Sequence, residues 1–202
     1  MSIAIDSLLP SLRSCPQQRR ERRLRAMAHR RERCLLLGPA MRLQFEDETS
    51  VRHQIQEVLL AERIADPAQV QHTIDGYAHL LGDGRQWMAT LFIELPDAAR
   101  RERELPVLSL AAHHLYLACA GLPRVVAAAN EDLDDCHLSR PSAVHFLRFA
   151  LPDAVRAALL GGHAAALGCA HPGYAWQCPV PAPMLQLLCA APQPAAQLQD
   201  AA

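Results

Sequence analysis

Apolar and polar residues follow two repeats along the chain, one of about two residues and one of about 3.6. Apolar and polar residues alternate strictly at 41–46, which predicts a half-exposed strand. This strand is expected to form a hairpin with the apolar run 34–37. Residues 143–151 are mainly apolar on both alternating faces, which predicts a central strand. Further strands are expected at 87–95, 115–120 and 125–129.

Helices are predicted where helix-compatible runs follow a capping residue. Thr49 or Ser50 is expected to cap one helix, and Asp66 and Pro67 supply a cap and a first-turn proline for the next. The predicted helices cover about 16–33, 49–63, 66–81, 97–104 and 153–160. About six strands and five helices without strict β–α alternation predict a single α+β domain, with a mostly antiparallel sheet flanked by helices.

Charge and composition divide the chain into three parts. Residues 1–33 contain nine arginines and three acidic residues, whereas the rest contains 11 arginines and 18 acidic residues. We therefore expect an Arg-rich N-terminal helical segment at 1–33 and an α+β core domain at 34–177. Apolar residues in the basic helix are sparse, so it is either mostly solvated or docked through a narrow stripe of Leu24, Met27 and Ala28. Residues 178–202 are rich in proline and alanine and are expected to form a partly disordered tail.

Composition narrows the functional class. All 20 basic residues are arginine, which a GC-rich genome explains more simply than selection for anion binding. The seven cysteines are odd in number and widely spaced, so we expect reduced thiols in a cytoplasmic protein. The start lacks a signal-peptide pattern. Two stretches, 105–123 and 157–199, lack charged residues, but histidine, glycine and proline interrupt them, so neither is expected to form a membrane helix of about 20 residues. Binding to nucleic acid is not expected, because no aromatic residue lies between the N-terminal arginines to stack on bases.

One predicted helix carries an acid on its apolar face. On a helical wheel of 49–63, Glu62 falls in the middle of the apolar arc, and Arg52, Arg63 and Gln56 lie beside one edge. Three alternatives follow for Glu62. It reaches solvent at the helix end, it forms a buried ion pair with arginine, or it serves as an acid, base or ligand beside an arginine clamp for an anion.

The strand predicted at 143–151 places His145 and Arg148 on opposite faces, so the two cannot share a site unless a bulge lies between them. Arg148 on an apolar face needs an acid, and Glu62 and Glu94 are candidates. For His145, a core imidazole with local hydrogen bonds is the simpler alternative to a catalytic role.

Several histidines and cysteines of the predicted core are candidate metal ligands. Cys169, His171, His163 and the pair His113 and His114 supply soft ligands, but their spacing matches no standard zinc or iron–sulfur pattern. We therefore predict no metal site, and we expect 171–174 to form a turn. The sequence contains none of the phosphate-loop, dinucleotide-binding, serine-hydrolase or zinc-protease motifs.

Three groups of segments resemble one known family. They are MRLQFED at 41–47 with VRHQIQE at 51–57 and ERI at 62–64, ATLFIELPD at 89–97, and SAVHFLRF at 142–149 with GCAHPGY at 168–174. Together they resemble an uncharacterised bacterial family, domain of unknown function 3501, in order over about residues 5–176. The chain departs from the family pattern at His53, where an aromatic residue is usual, and at Cys169-Ala170, where Val-Asp is usual.

The resemblance implies a cytoplasmic accessory role in redox or oxidative-stress metabolism, because family members tend to be encoded beside rubrerythrin-like and iron–sulfur oxidoreductases. It carries over no cofactor and no established catalytic residue. The motif positions are candidates for a site, with Glu62, His145 and His171 as catalytic residues and Arg52, Gln56, Arg63, Arg148 and Tyr174 as ligand-binding residues.

Two functions from different classes remain open. The first is a non-catalytic partner of an iron–sulfur or rubrerythrin-like oxidoreductase, bound through a sheet edge or the basic helix. The second is an enzyme or binding protein that holds a small anion or a metal with Glu62, Arg52, Arg63 and Arg148. The sequence itself specifies no cofactor and no oligomeric state.

Overall fold

The computed structural model describes Ile3, Leu8 and residues 15–82, 85–129 and 141–190. The helices in these parts of the chain are α1 (Pro16–Glu32), α2 (Glu48–Ala61), α3 (Pro67–Tyr77), α4 (Ala98–Ala111), α5 (Asp153–Leu160) and α6 (Ala182–Cys189). The strands are β1 (Cys34–Leu37), β2 (Met41–Phe45), β3 (Gln86–Ile93), β4 (Leu115–Cys119), β5 (Val125–Val126), β6 (Ala128–Ala129), β7 (Val144–Ala150), β8 (Ala165–Cys169) and β9 (Gln177–Pro179).

The strands form two antiparallel sheets. One has the order β1-β2-β3-β7-β6, and the other has the order β5-β4-β8-β9. β7 pairs with β3 on one side and β6 on the other, which confirms the central position predicted for 143–151. The predicted α+β class is therefore confirmed, and the strands divide between two sheets instead of joining a single one.

Two hydrophobic cores cover the two faces of the larger sheet. The first core joins both sheets and includes Phe45, Phe149, Leu91 and Leu167. The second core joins α2 and α3, and Phe146 of β7 packs against it from the sheet. β7 thus contributes alternate side chains to two cores, as expected for a strand whose faces are both apolar.

The second half of the chain contains structure that the sequence pattern did not predict. β8, β9 and α6 are short segments bounded by glycine and proline, and none is long enough to display a clear hydrophobic period. α6 buries Met184 and Leu185 in the first core, so the beginning of the segment 178–202 packs on the domain. Residues 191–202 lie outside the described parts of the chain.

α4 continues well past its predicted end at 104. It passes through Pro106 to Ala111, although proline removes one helical hydrogen bond. Leu108 and Ala111 are buried in the first core, and this burial offsets the lost bond.

Of the helices described, none combines the length and the apolar content needed to cross a membrane.

The side chain of Tyr174 joins the edges of the two sheets. Its hydroxyl donates a hydrogen bond to the carbonyl oxygen of Leu37 at 2.5 Å and accepts one from the backbone N–H of Ala40 at 3.0 Å. These two groups flank the β1–β2 turn, whereas Tyr174 itself lies between β8 and β9. Gly38 in that turn has φ +64°, and a Cβ there would lie 2.7 Å from the Tyr174 hydroxyl oxygen. The turn therefore requires glycine for its backbone and for this close approach.

Replacing Tyr174 with phenylalanine keeps the ring and removes both hydrogen bonds. Because the N–H of buried Ala40 then loses its partner, we expect Tyr174→Phe to lower the free energy of unfolding by about 1–3 kcal/mol in urea denaturation. Tyr77→Phe removes a hydroxyl from half-buried Tyr77 of α3 and should change stability by less than about 0.5 kcal/mol. Equal stabilities for wild type and Tyr174→Phe would show that the hydroxyl does not join the sheets.

Candidate functional site

Glu62 does not lie against the core. α2 ends at Ala61, Glu62 is the exposed residue that follows, and Arg63 turns the chain with φ 57°. The backbone N–H of Ile64 then donates to the carbonyl oxygen of Leu59, which closes the helix end. The structure therefore shows the first of the three alternatives, a carboxylate that reaches solvent where the helix ends.

The other residues predicted around Glu62 do not gather beside it. Arg52 forms an ion pair with Glu48 one turn earlier, with Nη2 and Oε1 2.6 Å apart. The separation of ten positions between Arg52 and Glu62 corresponds to about 15 Å along a helix axis. Gln56 is buried, whereas Arg63 is exposed. α2 therefore holds Arg52 apart from Glu62, because the two residues lie near opposite ends of the helix.

Arg148 and His145 lie on opposite faces of β7, as predicted. Arg148 is half-buried, and His145 is buried. Glu94, one of the two acids considered for Arg148, pairs instead with Arg42, with Oε1 and Nε 2.6 Å apart. Arg148 and Glu94 thus do not form the expected pair.

His145 is enclosed by a local hydrogen-bond network. Its Nε2 lies 2.9 Å from the carbonyl oxygen of Ser142 and 3.3 Å from Oγ of Ser109, which also accepts from the backbone N–H of Ser142 at 3.1 Å. A carbonyl oxygen can only accept, so Nε2 must carry the proton and cannot act as a base toward Ser109. Burial lowers the pKa of His145, nearby His113 lowers it further, and the hydrogen bond to Ser142 opposes both. This geometry fits the simpler interpretation of a core imidazole.

The lowered pKa of His145 can be tested by measuring how the free energy of unfolding depends on pH. The unfolded chain takes up a proton near the ordinary value of 6.5, whereas folded His145 resists protonation, so the free energy of unfolding should fall as the pH drops below 6.5. Burial also lowers the pKa of His53, which acts in the same direction. In urea denaturation between about pH 7.5 and 5.5, His145→Gln should lose less stability than wild type.

The matched control for this titration is exposed His163. His163→Gln should retain the pH dependence of wild type. A His145→Gln variant whose stability falls with pH as steeply as that of wild type would contradict the assignment of this dependence to His145.

His171 and Tyr174 build the turn between β8 and β9. Nδ1 of His171 accepts the backbone N–H of Gly173 at 3.1 Å, and the short helical turn Pro172–Tyr174 follows, which confirms the turn predicted at 171–174. The ring centroid of His171 lies 5.2 Å from that of His114. Burial raises the pKa of Tyr174, and its hydroxyl is already bonded to the β1–β2 turn. Both side chains thus have structural partners.

The half-buried and buried thiols at the end of the chain are poor nucleophiles. Burial raises the pKa of Cys169, Cys178 and Cys189, and Sγ of Cys169 donates to the carbonyl oxygen of Ala111 at 3.4 Å. The thiolate is the reactive form, so a raised pKa disfavours nucleophilic catalysis near neutral pH. Across residues 15–82, 85–129 and 141–190, no three His, Cys, Asp or Glu side chains are grouped to hold a metal ion.

One carboxylate attaches α1 to the start of α2. Asp47, and not Thr49 or Ser50 as predicted, caps α2 by accepting the backbone N–H of Ser50 at 2.9 Å. The same carboxylate lies 2.8 Å from Nε2 of His29 and 3.1 Å from Nε of Arg33. Burial acts to raise the pKa of Asp47, but the hydrogen bonds and charges of these neighbours outweigh it, so the pKa is lowered. The C-terminal end of the basic helix is thereby fixed on the domain.

The opposite side of α1 exposes apolar residues between arginines. Leu24 and Met27 are 58% and 45% exposed, whereas Ala26 is buried toward the domain. On a helical wheel, Arg20, Leu24, Met27 and Arg31 fall within about 60° of one another. These four residues are called the α1 stripe below. Of the two alternatives for this helix, the structure shows the mostly solvated one, because ion pairs and not the apolar stripe attach α1 to the domain.

Asp47→Ala removes both the cap and the attachment of α1. We expect a loss of about 1–2 kcal/mol in the free energy of unfolding at neutral pH, discounted because the ion pairs are partly exposed. The folded-state pKa lies below the ordinary value of 3.8, so this contribution is present above that value and is lost as the pH falls below it. The difference between wild type and variant should therefore shrink near pH 3 in urea denaturation.

Asp66→Ala is the control for this measurement, because Asp66 is an exposed cap that accepts the N–H of Gln69 at 3.1 Å. It should cost about 1 kcal/mol, the value of a cap alone. If Asp47→Ala cost no more than Asp66→Ala, the ion pairs to α1 would contribute nothing to stability.

These features define an α+β protein with two antiparallel sheets and an attached basic helix. The model of the family described as Protein of unknown function (DUF3501) matches residues 2–191, so the chain belongs to this family. The resemblance inferred from three groups of segments is thereby confirmed. The chain is similar to a novel protein of unknown function from Burkholderia pseudomallei K96243, whose crystal structure has a TM-score of 0.90 and 36% identity over 96% of this chain and 100% of that one. No curated protein matches the chain.

Proposed function

We propose that the chain is a non-catalytic, cytoplasmic accessory protein of a redox or oxidative-stress system and that it binds its partner with the α1 stripe. The observation that carries the proposal is the exposed apolar pair Leu24 and Met27 between Arg20 and Arg31. The class of partner, an iron–sulfur or rubrerythrin-like oxidoreductase, comes from the family resemblance. The side chains exposed on α1 indicate which surface such a partner must present.

The chemistry of α1 specifies a partner surface of opposite charge. The helix contains seven arginines and two glutamates, and most of these side chains are exposed. Exposed charges accelerate association and select among partners, whereas the apolar pair contributes affinity when it leaves water. The complementary surface is an apolar patch surrounded by carboxylates, and binding should weaken as salt is added.

Three observations on the domain support a non-catalytic role. The Nε2 of His145 is held as a donor by the carbonyl oxygen of Ser142, and burial raises the pKa of Cys169 and of the other thiols described above. In addition, Glu62 is exposed at the end of α2, away from Arg52. The alternative of an enzyme that uses Glu62 with Arg52, Arg63 and Arg148 therefore has no shared site to support it.

The test measures binding of the full-length protein, under reducing conditions, to purified rubrerythrin-like and iron–sulfur oxidoreductases from its own host. The double variant Arg20→Gln, Leu24→Gln should weaken binding about tenfold or more, because it removes a charge and an apolar contact from the α1 stripe. The matched control is Arg25→Gln, since Arg25 is an exposed arginine on another side of α1, beside Glu21. This control should bind like wild type.

Several outcomes would contradict the proposal. Absence of binding to every oxidoreductase tested would reject the redox partner, and equal weakening by Arg25→Gln would reject the α1 stripe as the contact. Sedimentation of the protein alone distinguishes a third case. If the double variant dissociated an oligomer of wild-type chains, the stripe would join copies of this acidic domain instead of binding an oxidoreductase.

A further inference from the structure

A cleft of about 330 Å³ lies between α4 and the segment that links β8 to β9. Trp176, Tyr174, Val107 of α4 and Ala40 line the cleft with aromatic and apolar surface. Arg100, Arg103 and Glu104, on the charged first half of α4, also line it. The cleft therefore combines aromatic, apolar and charged side chains, as small-molecule sites do.

Two glycines set the walls of this cleft. A Cβ on Gly38 would lie 2.7 Å from Cγ of Trp176, and a Cβ on Gly173 would lie 2.7 Å from Cγ1 of Val107. Side-chain carbons do not approach other atoms so closely, so both positions require glycine, which has no Cβ. Trp176 thus rests against the β1–β2 turn while 49% of its surface stays exposed. An indole supported from behind and open in front can accept a flat ring against it.

The rim of the cleft carries two guanidinium groups and one carboxylate. Arg100 donates two hydrogen bonds to Glu104, from Nε at 3.0 Å and from Nη2 at 2.9 Å. These bonds lower the pKa of Glu104, which keeps the carboxylate charged and fixes the orientation of Arg100. Arg103 approaches the same carboxylate only to 4.0 Å, and 69% of its side chain is exposed. Asp97, the cap of α4, also acts on Arg100, so Arg103 is the more open of the two cations and has N–H groups available for an additional anion.

We propose that this cleft binds a small aromatic acid, with its ring against Trp176 and Val107 and its carboxylate on Arg103 and Arg100. The volume lies at the lower end of the range for small-molecule sites, which suits one or two fused rings. The exposed guanidinium of Arg103 favours an anionic over a neutral ring. This site uses α4 and not the α1 stripe, so it goes beyond the proposed function, and its failure would leave that proposal intact.

The experiment titrates the full-length protein with 2-naphthoate and follows the indole N–H signals of the two tryptophans by NMR. Trp176 should shift and saturate at millimolar probe concentration or below. Trp87 provides an internal control, because it is buried and its indole N–H donates to the carbonyl oxygen of Leu188 at 3.1 Å. The neutral analogue 2-naphthalenemethanol should bind about fivefold more weakly, because it lacks the charge that Arg103 and Arg100 recognise.

Variants separate the two parts of the site. Arg103→Ala should weaken naphthoate about fivefold and leave the neutral analogue unchanged, whereas Arg25→Ala, on α1, should change neither. Val107→Ala opens the apolar wall and should weaken both probes. The NMR spectrum of each variant also shows whether the fold is retained.

Three results would overturn this proposal. The first is the absence of a saturable shift of Trp176, and the second is equal binding of acid and alcohol with no effect of Arg103→Ala, which would indicate adsorption to an exposed indole. The third is tighter binding of a short peptide such as acetyl-Asp-Phe-Asp-amide than of naphthoate, which would make the cleft a protein-docking groove.

Discussion

A single phenolic hydroxyl satisfies the backbone at the place where the two sheets meet. Leu37 and Ala40, which flank the β1–β2 turn, are buried, so their backbone polar groups are withdrawn from water. Tyr174 supplies partners for both the carbonyl oxygen of Leu37 and the N–H of Ala40, and without them each buried group would carry a desolvation penalty. Gly38 permits the approach, and the same approach positions Trp176 as a wall of the cleft. The stability of the sheet junction and the shape of the candidate ligand site therefore depend on one contact.

Most ionisable side chains described in this domain lie on its surface. The buried polar residues described are few, and they have local roles. Ser50 and Thr90, for example, donate to the two carboxylate oxygens of Glu46 at 2.5 and 2.8 Å, which joins the start of α2 to β3. The arginines are instead concentrated on α1 and on the first half of α4, both at the periphery. A protein with two charged, partly apolar surface features is suited to binding, and both proposals place function at these features.

Much of the fold follows from local patterns. The doubly apolar β7 is confirmed, and Asp66 caps α3 as predicted. The alternation in β2 identified the strand and its core face, but the exposure predicted for its polar face is wrong at Gln44, which is buried and donates to the carbonyl oxygen of Arg30 at the end of α1. The candidate site was less predictable. The helical wheel placed Glu62 on the core because it assumed that the helix continued, but α2 ends one residue earlier. The side chain is exposed because Arg63 adopts a left-handed conformation and reverses the chain, which a wheel cannot represent.

The sequence by itself determined the α+β class, the strongest strands, the turn at 171–174 and the family. Only the tertiary structure decided the path of α4 through Pro106, the folding of β8, β9 and α6, and the side of α1 that faces the domain. The physical reason is the range of the interactions. Periodicity and capping act within a few residues, whereas these features depend on burial and hydrogen bonds between distant segments, such as the pairing of Asp47 with His29 and Arg33.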